Sequence, residues 1–382
     1  MATATAPARP LAGVTVRGRW LHPGAWWLWA IGLATAASRT TNPVLLLLIL
    51  AVAGTVVAAR RPQAPWSRSF GVFLRIGLII IAVRVVFQVL LGLPQGNTVL
   101  VTLPSVDLPG WMAGVRLGGM VTWESIVYSV YDGLRLATVL ACLGAASSLA
   151  SPYRLLKAMP AALYEVGVSL VVALSFAPAL VGDIQRVRAA RRLRGRPTSG
   201  LRGLTGSAMP VFAGALDRSI ALAAAMDSRG YGRAVDLSPR ERRTTGALVL
   251  GGLIGVGLGL YALLDGSAAS YAGLPLLVLG AIAAVLGLLR GGRRNGRTRY
   301  RPDPWRWPET VTAAAGLMTA VSVVLQRIVD PGALAPSISP LEWPQVPWIA
   351  TLGVLVALLP AWITPPPPSI SGRSAATGPA AS

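Results

Sequence analysis

The sequence predicts an all-α fold, a polytopic helical membrane protein with about eight transmembrane helices and a basic cytoplasmic arm of helices. Three observations predict it. Of 382 residues, 53% are apolar and only 13% charged, and several apolar runs approach the roughly 20 residues a helix needs to cross hydrocarbon. The basic residues avoid those runs and gather in a few connecting segments, as the positive-inside rule expects. Trp26, Trp27, Trp111, Trp123, Trp305, Trp307, Trp343, Trp348 and Trp362 fall at the ends of the runs, where an amphipathic indole favours the membrane interface.

A net charge of +21 would suggest nucleic acid as the partner of a soluble chain. Here it reports topology, so membrane lipid is the expected environment and no nucleic acid is expected. The single cysteine, Cys142, and single histidine, His22, exclude a disulfide framework and a Cys/His metal cluster within the chain. They also leave no Ser-His-Asp or Cys-His arrangement, so no catalytic residue and no metal ligand is assigned. His22 reads as an interfacial residue.

Residues 1–20, small and polar with Arg9, Arg17 and Arg19, read as a disordered tail without a cleaved signal peptide. Residues 21–150 hold four spans. The first hairpin is 25–37 and 43–59, its first run short, and Arg60, Arg61 and Arg68 mark a cytoplasmic turn. Spans 70–91 and 123–145 follow, joined by a weakly charged segment with Asp107, Arg116 and several prolines that is best placed outside. Residues 151–243 form the cytoplasmic arm. Residues 244–290 carry spans 246–264 and 271–289 around an outer turn with Asp265. A basic loop at 291–308 returns the chain inside, an additional hairpin at 309–363 spans twice more, and 364–382, opening on a proline run, reads as a disordered cytoplasmic tail. Both termini are then cytoplasmic.

The arm offers two helices. One begins near Pro160, is apolar on nearly every face through Phe176, turns basic from Asp183 and ends at Gly195. The other runs from about Pro210 to Arg229 and ends at Gly230. Each delivers an arginine, Arg194 or Arg229, at its last turn. Taken singly, such an arginine need only complement the helix macrodipole; a pair in one arm points to docking, because a guanidinium forks onto carboxylates or carbonyls and anchors a rigid helix. The chain has no GxxxxGK[ST] loop, so nucleotide chemistry must come from elsewhere.

The block from Pro152 to Pro160, the segment Ser175-Phe176-Ala177-Pro178 and the two arginine motifs resemble the transmembrane T component of energy-coupling factor (ECF) transporters, ABC-type importers of vitamins and transition-metal ions. The resemblance runs from about Trp123 to Leu264. It implies that the arm's two helices are coupling helices, with Arg194, Gly195, Arg229 and Gly230 docking on two ABC ATPase subunits (the A components). It also implies a small membrane-embedded substrate-binding S component as partner, a bacterial plasma membrane as location, and ATP and Mg handled by the partner ATPases, with no cofactor bound directly. Leu193 and Ser228 stand where alanine is commoner in the family, and the hairpin after Arg290 extends beyond the usual family pattern.

Arg84 and Asp132, in antiparallel spans, lie at similar depth and are expected to pair, either as a polar link beneath the S-component surface or as a structural ion pair. Gly251, Gly255 and Gly259, spaced by four, give a flat helix face for the S component or for internal packing. The rival function is a stand-alone secondary transporter, which wants embedded ionisable groups around a midplane site; a second is an enzyme of lipid-linked substrates, which wants clustered carboxylates or histidines. The first leaves the arm unexplained, and for the second the acidic residues are too few and too scattered.

Overall fold

The computed structural model of the protein describes residues 18–91, 96–107, 116–158, 164–196, 200–231, 239–264, 270–294 and 303–367. Most of the N-terminal tail, the end of the C-terminal tail, the turn at Asp265 and residues 295–302 of the basic loop lie outside the described residues. The chain is helical, as expected, and divides into two compact units. Unit 1 is Met1–Leu155 with Asp303–Ser382, and unit 2 is Leu156–Pro302.

In unit 1, α1 (Pro23–Ser38), α2 (Pro43–Arg60), α3 (Ser69–Leu91) and α4 (Trp123–Leu149) are joined by α10 (Trp307–Val329), α11 (Trp348–Val356) and α12 (Pro360–Ile363) from later in the chain, and the short α5 (Pro152–Lys157) carries the boundary with unit 2. The core gathers Trp29, Leu33, Leu45, Ile49, Val52, Val56, Val323 and Val354, all buried. Helices approach where side chains are smallest. Gly32 of α1 and Gly316 of α10 cross so closely that a methyl group on either would strike the other helix's backbone, and Gly77 of α3 meets Ala137 of α4. This is how apolar helices associate where burial alone gives little drive. Polar ties close the bundle. The Trp29 indole donates to the Ala357 carbonyl at 3.0 Å, and Arg60 Nε donates to the Ala361 carbonyl at 2.9 Å. Asn42 caps α2 while its amide donates to the carbonyls of Ala333 and Gln345. The additional C-terminal hairpin is therefore part of the bundle itself.

Between α3 and α4 the chain forms a two-stranded antiparallel ribbon, β1 (Val99–Asp107) and β2 (Arg116–Thr122). The sequence reading treats this segment only as a connection, since the glycines and prolines that mark its turns also interrupt any alternation.

Unit 2 holds α6 (Tyr164–Leu193), α7 (Gly200–Ser228), α8 (Pro239–Leu264) and α9 (Ser270–Arg294). Among the described residues, seven helices are long and apolar enough to cross a membrane, with shorter apolar helices at Pro275–Gly291 and Trp348–Ile363. Three differences from the expected eight spans follow. α1 has 16 residues, about 24 Å at 1.5 Å per residue; two expected spans fall on the shorter helices; and α6 and α7, assigned to the arm, qualify by length and composition. In α6 the qualifying stretch gives way to Asp183, Arg186, Arg188, Arg191 and Arg192 in the final turns, an arrangement in which an apolar half and a solvated half share one helix.

Candidate functional site: two arginine-tipped helices

α6 and α7 end in the same way. At the end of α6, the Gly195 N–H donates to the Arg192 carbonyl at 3.1 Å and the Arg196 N–H to the Arg191 carbonyl at 3.0 Å. At the end of α7, the Gly230 N–H donates to the Asp227 carbonyl at 2.8 Å and the Tyr231 N–H to the Met226 carbonyl at 3.0 Å. These are two Schellman closures, each needing a residue at positive φ just past the helix. Gly195 (φ 65°) and Gly230 (φ 74°) supply it. Arg194 and Arg229 are the capping residues immediately before those glycines. Both are exposed, and neither forms a salt bridge among the described residues. Each presents an uncommitted guanidinium fork at the end of a rigid helix.

The two helices run antiparallel and are pinned to one another. The Asp183 carboxylate of α6 meets Arg218 of α7 at 3.0 Å and also pairs with Arg186 one turn along its own helix. Nearer the α6 tip, Arg191 Nη1 donates to the Gly206 carbonyl at 2.6 Å. α7 begins ten residues before Pro210 and continues through it, whereas the sequence reading starts the helix at that proline. A proline inside a helix has no N–H for the carbonyl four residues back. For Pro210 that carbonyl is Gly206, and Arg191 supplies the missing donor. Gly206 also lacks the Cβ that would collide with the Arg191 guanidinium. With Arg191 against Gly206, the Arg194 tip lies near one end of α7, and Arg229 lies 23 residues further along, roughly 35 Å away at 1.5 Å per residue.

Arg84 of α3 and Asp132 of α4 form an ion pair. The glycines of α8 divide. A methyl group at Gly255 would stand 3.0 Å from Gly280 Cα of α9, and one at Gly259 2.5 Å from the Leu277 nitrogen, while Gly251 faces open space. The face that meets α9 is Gly252, Gly255 and Gly259. Three- and four-residue steps keep to one side of a helix of 3.6 residues per turn, whereas repeated steps of four drift around it. Gly251 is thereby corrected: it is not on this packing face.

Residues 19–239 match the family described as CbiQ, cobalt transport protein. The chain belongs to the CbiQ family. The matched region takes in both arginine tips and α1 to α7, and ends before α10 to α12. Over 128 residues the CbiQ-family chain is 30% identical to the energy-coupling factor transporter transmembrane protein EcfT of Streptococcus thermophilus, covering 32% of this chain and 45% of that protein. Over 199 residues it is 29% identical to the EcfT of Streptococcus equi subsp. equi, covering 50% of this chain and 70% of that one. The chain thus spans under half of one curated relative and 70% of the other. Among the described residues, no three His, Cys, Asp or Glu side chains come together as metal ligands would.

The pins between α6 and α7 are not evident in the sequence, where Asp183 only marks the point at which the helix turns basic. The available signal was a glycine four residues before a proline inside an apolar run, which marks an unmatched carbonyl.

Proposed function

We propose that this chain is the membrane-embedded coupling subunit of an ECF-type importer. Arg194 and Arg229 dock on two ABC ATPase subunits, which hold ATP and Mg. The motion of those subunits passes through α6 and α7 to a small membrane-embedded S component that carries a vitamin or transition-metal ion. The chain itself performs no bond chemistry. In this reading both tips and both termini face the cytoplasm of a bacterium. Arg84 with Asp132 stiffens the α3–α4 pair, and Gly255 and Gly259 serve packing within α8 and α9.

One observation carries the proposal: two exposed arginines at equivalent capping positions, roughly 35 Å apart by helix rise, on helices pinned at Asp183–Arg218 and Arg191–Gly206. Two rigid forks at that spacing suit two separate receiving surfaces. Family membership and the names of the two relatives support the same reading. The test is affinity purification of the tagged chain from its native membrane. Recovery of P-loop ATPases with the parent chain, and their loss with Arg194→Glu together with Arg229→Glu in a chain that still inserts, is the expected result. Equal ATPase recovery by the double variant would overturn the docking assignment.

A further inference from the structure

Two arginines on neighbouring helices of unit 1 are treated differently. Arg84 is matched by Asp132. Arg135, one turn along α4 from Asp132, is given instead the carbonyl oxygen of Ser38 in the last turn of α1. That contact occupies one of five guanidinium N–H donors. An ionisable side chain within a membrane span that is matched by no opposite charge is by default the mark of a ligand or an ion path.

Arg135 lines a cleft of about 560 Å³, together with Arg39 and Arg327, the hydroxyl residues Ser38 and Thr41, and Leu334. Three arginines border it and, among the described residues, no Asp or Glu does. The nearest acids in sequence are engaged elsewhere. Asp132 is bound to Arg84, and Asp330 Oδ1 accepts from the N–H groups of Gly332 and Ala333. The walls are also fixed. Thr40 Oγ1 donates to the Leu334 carbonyl at 2.8 Å, and the Asn42 amide donates to the Ala333 carbonyl at 2.8 Å. Little reorganisation is then needed to receive an anion.

α1 ends at Ser38, α2 begins at Pro43 and α10 ends at Val329, so three apolar helices turn at the level of the cleft. α4 runs on for 12 more residues to Trp123, about 18 Å by helix rise. The cleft thus opens where α1, α2 and α10 end, while α3 continues past it with Val86, Phe87 and Leu90 exposed. Three forked donors suit an anion with several oxygens and do not suit a single carbonyl.

We propose that the cleft bounded by Arg39, Arg135 and Arg327 binds a phosphate group. The source is either the headgroup of an anionic phospholipid or a soluble phosphate, and the proposal is independent of the transport reading. The test uses the full chain in detergent, stripped of lipid and then offered phosphatidylglycerol, phosphatidylcholine or inorganic phosphate, with binding read by native mass spectrometry and titration. Two variants are compared with the parent: Arg135→Gln, and Arg39→Gln with Arg327→Gln, which changes only exposed side chains. Each is expected to weaken binding about tenfold, the effect of losing a charge-assisted hydrogen bond. Phosphatidylglycerol retained in preference to phosphatidylcholine, and not displaced by millimolar phosphate, identifies the lipid source. Binding of inorganic phosphate with no lipid preference identifies the soluble source. If the parent and the Arg39→Gln, Arg327→Gln variant bind both probes equally, the site does not exist.

Discussion

Arg194 and Arg229 occupy the same position, the capping residue before a left-handed glycine, in two helices closed by the same pair of backbone hydrogen bonds. The equivalence separates the charge of each tip from its geometry. Arg194→Lys keeps charge and loses the fork, and should hold partner ATPases more weakly than the parent but better than Arg194→Glu, as read by co-purification at increasing salt.

Gly230→Ala keeps Arg229 but places a Cβ at φ 74°, which costs about 1–2 kcal/mol. The last turn of α7 should unwind and the Arg229 fork lose its aim. ATPase stimulation by the assembled complex should fall while the amount of complex recovered changes less. Parent-level stimulation would show that the tip's backbone geometry is dispensable.

The Arg191 donor to Gly206 predicts a specific coupling. Arg191→Ala should lower stability in detergent by about 1 kcal/mol, because the carbonyl that Pro210 leaves unmatched loses its donor. In a Pro210→Ala background the helix supplies that donor itself, and the same change should cost measurably less. Strict additivity in this double-mutant cycle would mean that the contact contributes nothing of its own.

Gly255→Leu and Gly259→Leu should each lower the thermal midpoint by overfilling the α8–α9 contact, at about 1–3 kcal/mol, whereas Gly251→Leu should leave it unchanged. A thermal-shift series on the three variants checks the order.

In unit 1, Glu309 is fully buried and accepts from Arg19 Nη2 at 2.8 and 2.9 Å and from the Arg306 N–H at 3.1 Å. Arg19 is itself 28% exposed and can turn to water, so Glu309→Ala should destabilise by about 1–3 kcal/mol, chiefly because the N–H groups of His22 and Arg306 lose this acceptor. The Arg154–Asp303 pair, more than a fifth exposed on each side, should yield at most about 1 kcal/mol when Asp303 becomes Asn.

The helical class and the arm's arginine tips were legible because they depend on local signals: apolar run length, charge placement, and a glycine after an arginine. Arg84 and Asp132 were legible as partners because antiparallel spans fix depth. What stayed hidden needs knowledge of which helices meet. Gly252 differs from Gly251 only in facing α9, and nothing in residues 309–363 says that Gly316 will nest against Gly32. Pro210 reads as a helix start until Arg191 is seen to take over the bond it cannot make.

The packing of α10 on α1 also sets an order of events during synthesis. Arg19 and Glu309 are 290 residues apart in the chain, and at roughly 5–20 residues per second the ribosome needs about 15–60 s to deliver the second after the first. For that interval α1 carries an uncovered glycine groove and an unmatched guanidinium, with all of unit 2 made in between. A nascent chain stalled before residue 303 should therefore be an open bundle, a substrate for membrane quality-control proteases until its last helices arrive to close it.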